Sequence, residues 1–112
     1  MAAQPDPRLT RFREELLPII MRVFAPDRVI AFGSRTRGEA LRSSDLDLIV
    51  VARSFANVPW VDRQARVQEA IGAPFAMDFL CYTPEEFARK VEEFGVVQTA
   101  ARTGIVLHPA AA

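Results

Sequence analysis

A chain of 112 residues, half of them apolar and a quarter charged, with a formal net charge of zero, has the composition of an ordinary globular domain. Low-complexity and repeat architectures are excluded, and the balanced charge disfavours autonomous nucleic-acid binding, which shows as a basic surplus. No apolar run approaches a membrane span, Met1 to Pro7 lacks the features of a secretory signal, and Cys81 is the single cysteine. We therefore expect one cytoplasmic domain over residues 1–112 that contains no disulfide and does not enter a membrane.

The elements follow in chain order. Asp6 and Pro7 form a helix start, a capping carboxylate followed by proline at the first helical position. Leu9, Phe12, Leu16, Ile19, Ile20 and Val23 continue as an apolar stripe to about Phe24, with Pro18 expected to kink or split the helix. Val29 to Phe32 reads as a buried strand stopped by Gly33, and Asp45 to Ala52 as a second strand, antiparallel to the first. Its alternation puts Leu46, Leu48 and Val50 on one face and Asp47, Ile49 and Val51 on the other.

Trp60 to Ile71 predicts a helix closed by Gly72, with Val61, Ala65, Val67, Ala70 and Ile71 turned inward. Phe75 to Tyr82 predicts a third strand, parallel to the second because a helix connects them. Thr83, Pro84 and Glu86 spell a capping box, and Phe87, Val91 and Phe94 supply the apolar stripe of a helix ended by Gly95. Val96 to Arg102 adds a further helical turn or two, Gly104 breaks the chain, and Ile105 to Leu107 forms a short edge strand before three terminal alanines expected to fray. The sum is an α+β fold: a small mixed sheet of three to four strands with helices packed on it.

Residues 33 to 47 carry the chemistry. Gly33 allows close backbone approach to a ligand, and Ser34 places a hydroxyl and an amide at the start of a short helix, where anions are favoured. Asp45 and Asp47, two apart on a strand, project from one face, and Asp78 reaches the same end of the sheet through the parallel crossover. Asp47 interrupts an apolar strand, where an unpaired carboxylate is costly, and hard oxygen donors of this kind suit Mg²⁺ with substrate phosphates. Three aspartates without cations would repel, raising the pKa of at least one. Taken singly, Gly-Ser is more often plain turn chemistry, Asp45 a strand-start residue and Asp78 an ion-pair partner; their coupling favours the site. Arg37 could contact phosphate or hold the loop. Arg35, Arg42 and Glu39 are expected at the solvent face, Trp60 and Phe75 in core or interface, and His108 outside catalysis.

Gly33-Ser34, Arg37-Gly38, Ser44-Asp45-Leu46-Asp47 and the later Asp78 resemble the minimal nucleotidyltransferases of the DNA polymerase beta superfamily. The resemblance covers most of the chain. It implies a polymerase beta-like nucleotidyltransferase fold and attack of a hydroxyl on the α-phosphate of a nucleoside triphosphate, with loss of pyrophosphate. Carried over by position, Gly33 and Ser34 would cradle the β- and γ-phosphates, with Arg37 beside them, and Asp45, Asp47 and Asp78 would hold two Mg²⁺ or Mn²⁺ ions. Asp78 would sit nearest the attacking hydroxyl and could assist its deprotonation.

The resemblance extends to antitoxin halves of two-component modules, implying ATP as substrate and a HEPN-type toxin as the protein that receives AMP, on a tyrosine hydroxyl. Only about thirty residues follow the third strand, which is short for a second, acceptor-gripping domain. Two alternatives stand beside this expectation: a non-catalytic nucleotide-binding antitoxin that works by occlusion, and transfer to an aminoglycoside-like small molecule, for which a homo-oligomer could complete the pocket.

Overall fold

The computed structural model describes residues 6–38 and 45–109. Arg42, Glu39, Ser44 and the final alanines lie outside them. Helix α1 (Pro7–Arg11) runs through a π-helical turn (Phe12–Leu16) into α2 (Leu17–Phe24). The Leu17 N–H reaches back to the Phe12 carbonyl, a wide turn placed just before Pro18. A proline lacks the amide that would continue the ladder and its ring presses on the preceding turn. The wider turn accommodates both effects within one helical run instead of splitting it.

Strand β1 (Arg28–Phe32) pairs antiparallel with β2 (Leu46–Val51), which pairs in parallel with β3 (Met77–Tyr82). Strand β4 (Ile105–His108) completes a sheet of order β3-β2-β1-β4. The mixed sheet, the antiparallel first pair and the parallel crossover agree with the sequence reading.

The alternation of β2 divides the core in two. Leu46, Leu48 and Val50 pack with Phe12, Ile20 and Val67, so α1, α2 and α3 (Trp60–Ile71) cover one face. Ile49 and Val51 pack instead with Ile30, Phe87 and Val97, under α4 (Pro84–Lys90) and α5 (Val96–Thr103). Asp6 caps α1, and Thr83 with Glu86 forms the expected capping box on α4. Gly72 closes α3 in a left-handed conformation, φ 63°.

Two expectations are corrected. On α3 the inward face is Arg63, Val67 and Ile71, whereas Val61 and Ala65 face solvent. Helix α4 ends at Lys90, which leaves Phe94 fully exposed in the turn before Gly95 instead of on an apolar stripe.

Arg63 is buried because three acceptors meet it: its Nε donates to Val58 O, Nη1 to Cys81 O, and the guanidinium forks onto Glu86 at 2.6 and 3.3 Å. Gln64 Oε1 accepts the Phe79 N–H, and Gln68 Nε2 donates to Met77 O. Ala76 and Tyr82 turn their carbonyls toward β2 and its end, so these α3 side chains meet the outer rim of β3.

Candidate active site

The end of β1 sets the site. Phe32 pairs with Asp47, and Asp47 pairs in turn with Asp78, so the two carboxylates occupy matching positions on neighbouring parallel strands and leave the same face. Gly33 follows immediately, with φ 86°. A side chain there would collide with the Asp47 carboxylate at Oδ2, so the absence of a Cβ lets the turn lie directly over that acid.

Beyond Gly33 the chain forms a single 3₁₀ turn (Ser34–Thr36), closed by Thr36 N–H to Gly33 O at 3.1 Å and Arg37 N–H to Ser34 O at 3.1 Å. The Thr36 hydroxyl also donates to Gly33 O at 2.7 Å. Ser34 is half-buried and Arg37 exposed. Arg35, expected at the surface, is buried: its Nη1 lies 2.8 Å from Asp6 Oδ2, an ion pair with 7% and 14% of the two side chains exposed.

Two cavities meet at Phe32, Gly95 and Val96. One, of about 470 Å³, has Asp47 and Asp78 with apolar walls from Leu80, Tyr82, Phe94 and Val97. The other, of about 480 Å³, holds Gly33, Thr36 and Arg37 opposite Thr99 and Thr103 of α5. The turn and the acids thus border adjoining spaces. Lys90 and Glu93 at the rim of the first cavity pair with each other at 3.3 Å.

Burial raises the pKa of Asp47 from its ordinary value, and the charges of Asp78 and then Asp45 raise it further. The structure therefore brings Asp47 and Asp78 side by side, with Asp45 near enough to be felt. Asp45 stands exposed just before the first ladder residue of β2. Among the described residues no three acidic, histidine or cysteine side chains are gathered closely enough to hold one ion as they stand. The donor chemistry still fits a hard divalent cation: neighbouring carboxylates that repel one another gain from a positive charge between them.

The profile of the nucleotidyltransferase domain family matches residues 11–101, which includes the turn, both strands that carry the acids, and most of α5. The chain belongs to this family. A nucleotidyltransferase domain implies nucleotidyl transfer, with a nucleoside triphosphate as substrate and divalent metal as the usual helper. A crystal structure of a protein from Sulfolobus solfataricus assigned to the nucleotidyltransferases is similar at 26% identity and TM-score 0.57, over 73% of each chain. BolA1 from Arabidopsis thaliana shares 13% identity at TM-score 0.51, over 76% of this chain and 98% of its own, a likeness of fold alone. No curated protein matches the chain.

Sequence reasoning missed two buried cations of this nucleotidyltransferase domain, Arg35 and Arg63. His108 is set apart from the acids, paired with Val29 at the opposite end of β1. Trp60 is half-exposed and packs at a tilt of 36° against Tyr82, 5.0 Å between ring centres. Among the described residues no helix is long and apolar enough to cross a membrane.

Proposed function

We propose that this nucleotidyltransferase moves AMP from ATP to a hydroxyl of a partner protein, a HEPN-type toxin, and so acts as an antitoxin. The observation that carries the transfer is the register match of Asp47 and Asp78 beside a glycine turn with no room for a side chain. Gly33, Ser34 and Arg37 receive the β- and γ-phosphates through backbone amides, a hydroxyl and a guanidinium. Asp45, Asp47 and Asp78 would hold Mg²⁺, two ions in the full site. Such ions, when bound, neutralise charge on the attacking and leaving oxygens of an in-line displacement.

The chain's own part is positioning. The acceptor oxygen bonds to the α-phosphorus, the bond to the β-phosphate's bridging oxygen breaks, and pyrophosphate departs. Asp78, exposed at the acceptor side, takes up the hydroxyl proton. Apolar walls around Asp47 and Asp78 suit an acceptor hydroxyl carried on an apolar body. The protein partner itself comes from the resemblance of the Gly33 to Asp47 motif.

Incubating the chain with ATP, Mg²⁺ and a HEPN protein, then weighing the HEPN protein, tests this. A gain of one AMP mass that Asp45→Asn or Asp47→Asn abolishes supports the reading. Neutralisation of the toxin that persists in Asp47→Asn, with no mass change, supports occlusion instead.

A further inference from the structure

The turn that would receive phosphates has little to hold it from within: one 3₁₀ turn, closed by two backbone hydrogen bonds and one hydroxyl. Yet its place is narrowly set, because Gly33 lies against the Asp47 carboxylate and any displacement alters that contact. The side chain that anchors it is Arg35, which turns inward from the middle of the turn onto Asp6, 29 residues earlier. Asp6 is shared. Its Oδ1 accepts the Arg8 and Leu9 amides at 2.9 and 3.2 Å as the cap of α1, while Oδ2 takes Arg35 at 2.8 Å.

A buried ion pair is a poor device for stability alone, since loss of hydration offsets most of the attraction and apolar packing would serve as well. What a guanidinium held by one carboxylate oxygen supplies is direction. We propose that Arg35, gripped by Asp6, is a positioning residue that fixes the Gly33–Ser34 turn in the shape that receives a nucleotide's phosphates, and that couples nucleotide binding to the start of α1. The inference rests on the nucleotide-transfer reading above. Arg35 itself touches no substrate; on either side of it Ser34 is half-buried and Arg37 exposed.

The test uses the full chain and MgATP, with affinity read by calorimetry well below the melting temperature. Asp6→Ser keeps a helix-capping hydroxyl but is too short to reach Arg35. It weakens MgATP binding about tenfold, as does Arg35→Gln, while Arg35→Lys recovers part of the loss and the Asp6→Ser/Arg35→Gln double variant is no weaker than either single one. In the unaltered chain, MgATP slows hydrogen exchange of the Arg8 and Leu9 amides, and Arg35→Gln abolishes that slowing while these amides stay helical.

A folded Asp6→Ser chain that binds MgATP as tightly as the parent overturns the proposal, and so do additive losses in the double variant. Should the variants fail to fold, exchange at Arg8 and Leu9 in the parent chain decides: unchanged rates on MgATP binding overturn it. A parent chain that binds and transfers AMP while Asp6→Ser does the same refutes the positioning role alone. A parent chain that binds no MgATP refutes the functional reading and this inference with it.

Discussion

The two faces of strand β2 belong to one six-residue stretch and do opposite work. Leu46, Leu48 and Val50 are fully buried under α1, α2 and α3, whereas the other face begins with a half-buried Asp47 beside a cavity and only then turns apolar at Ile49 and Val51. The first face is built for cohesion. The second accepts an electrostatic cost at one end, where like charges crowd, and offsets it with the packed remainder of the sheet. Substitutions on the two faces should therefore separate activity from stability.

The largest separation is expected at Asp47. On the proposed function, Asp47→Asn should lower AMP transfer about a hundredfold or more, by removing a charge assigned there to holding the metal. Its melting temperature at pH 7 should nevertheless rise slightly. The folded-state pKa of this acid is raised, so folding favours the protonated form, and that contribution is lost as pH climbs through the folded value. Mg²⁺ should raise the melting temperature of the parent chain and leave Asp47→Asn unmoved; equal shifts in both would count against the acids as ligands.

On the opposite face, Phe12→Ala should cost about 3–5 kcal/mol in urea unfolding, because Phe12 is fully buried and its neighbours close the gap only in part. Transfer per folded molecule should stay near that of the parent. A large loss of specific activity would show that the two faces are not separable.

Arg63→Met retains the packing stem but abandons Glu86 and the Val58 and Cys81 carbonyls. We expect a loss of about 2–3 kcal/mol, below that of a fully buried pair since Glu86 still reaches solvent. The same pair predicts the smallest effect, in pH. Hydrogen bonding to Arg63 holds the Glu86 carboxyl below its ordinary value, so its stabilisation is present above that ordinary value and fades as pH falls through the folded one. Urea midpoints of the parent and Glu86→Gln should thus differ at pH 7 and converge on acidification. Parallel curves would rule the linkage out.

Much of this division was legible in the residues. Strict alternation told the faces of β2 apart, and Thr83-Pro84-Glu85-Glu86 announced its helix because capping chemistry is local. Asp47 stood out as a charge inside an apolar run, and the parallel crossover put Asp78 beside it. What stayed hidden were interactions closed over long sequence distances. Arg35 finds Asp6 across 29 residues, and Arg63 finds Cys81 and Glu86 across 18 and 23. A lone arginine on a helix or turn reads as a solvent-facing residue until its acceptors are known.

The same cause explains the reversed face of α3. Periodicity weights Val61 and Ala65 as inward, but a guanidinium with three acceptors outcompetes an alanine for that position. Phe94 misled for a different reason, since nothing local marks α4 as ending one turn before it.

The side chains of α3 that meet β3 carry one more implication. Arg63, Gln64 and Gln68 occupy Cys81 O, Phe79 N–H and Met77 O, the groups an incoming strand would need. On that flank three of the strand's outward backbone groups are thus already engaged, which disfavours recruitment of an extended segment from another molecule, whether a fibril or a borrowed peptide. Among the described residues, the surfaces left more open to a partner are the helices, the face above Asp47 and Asp78, and the far flank formed by β4.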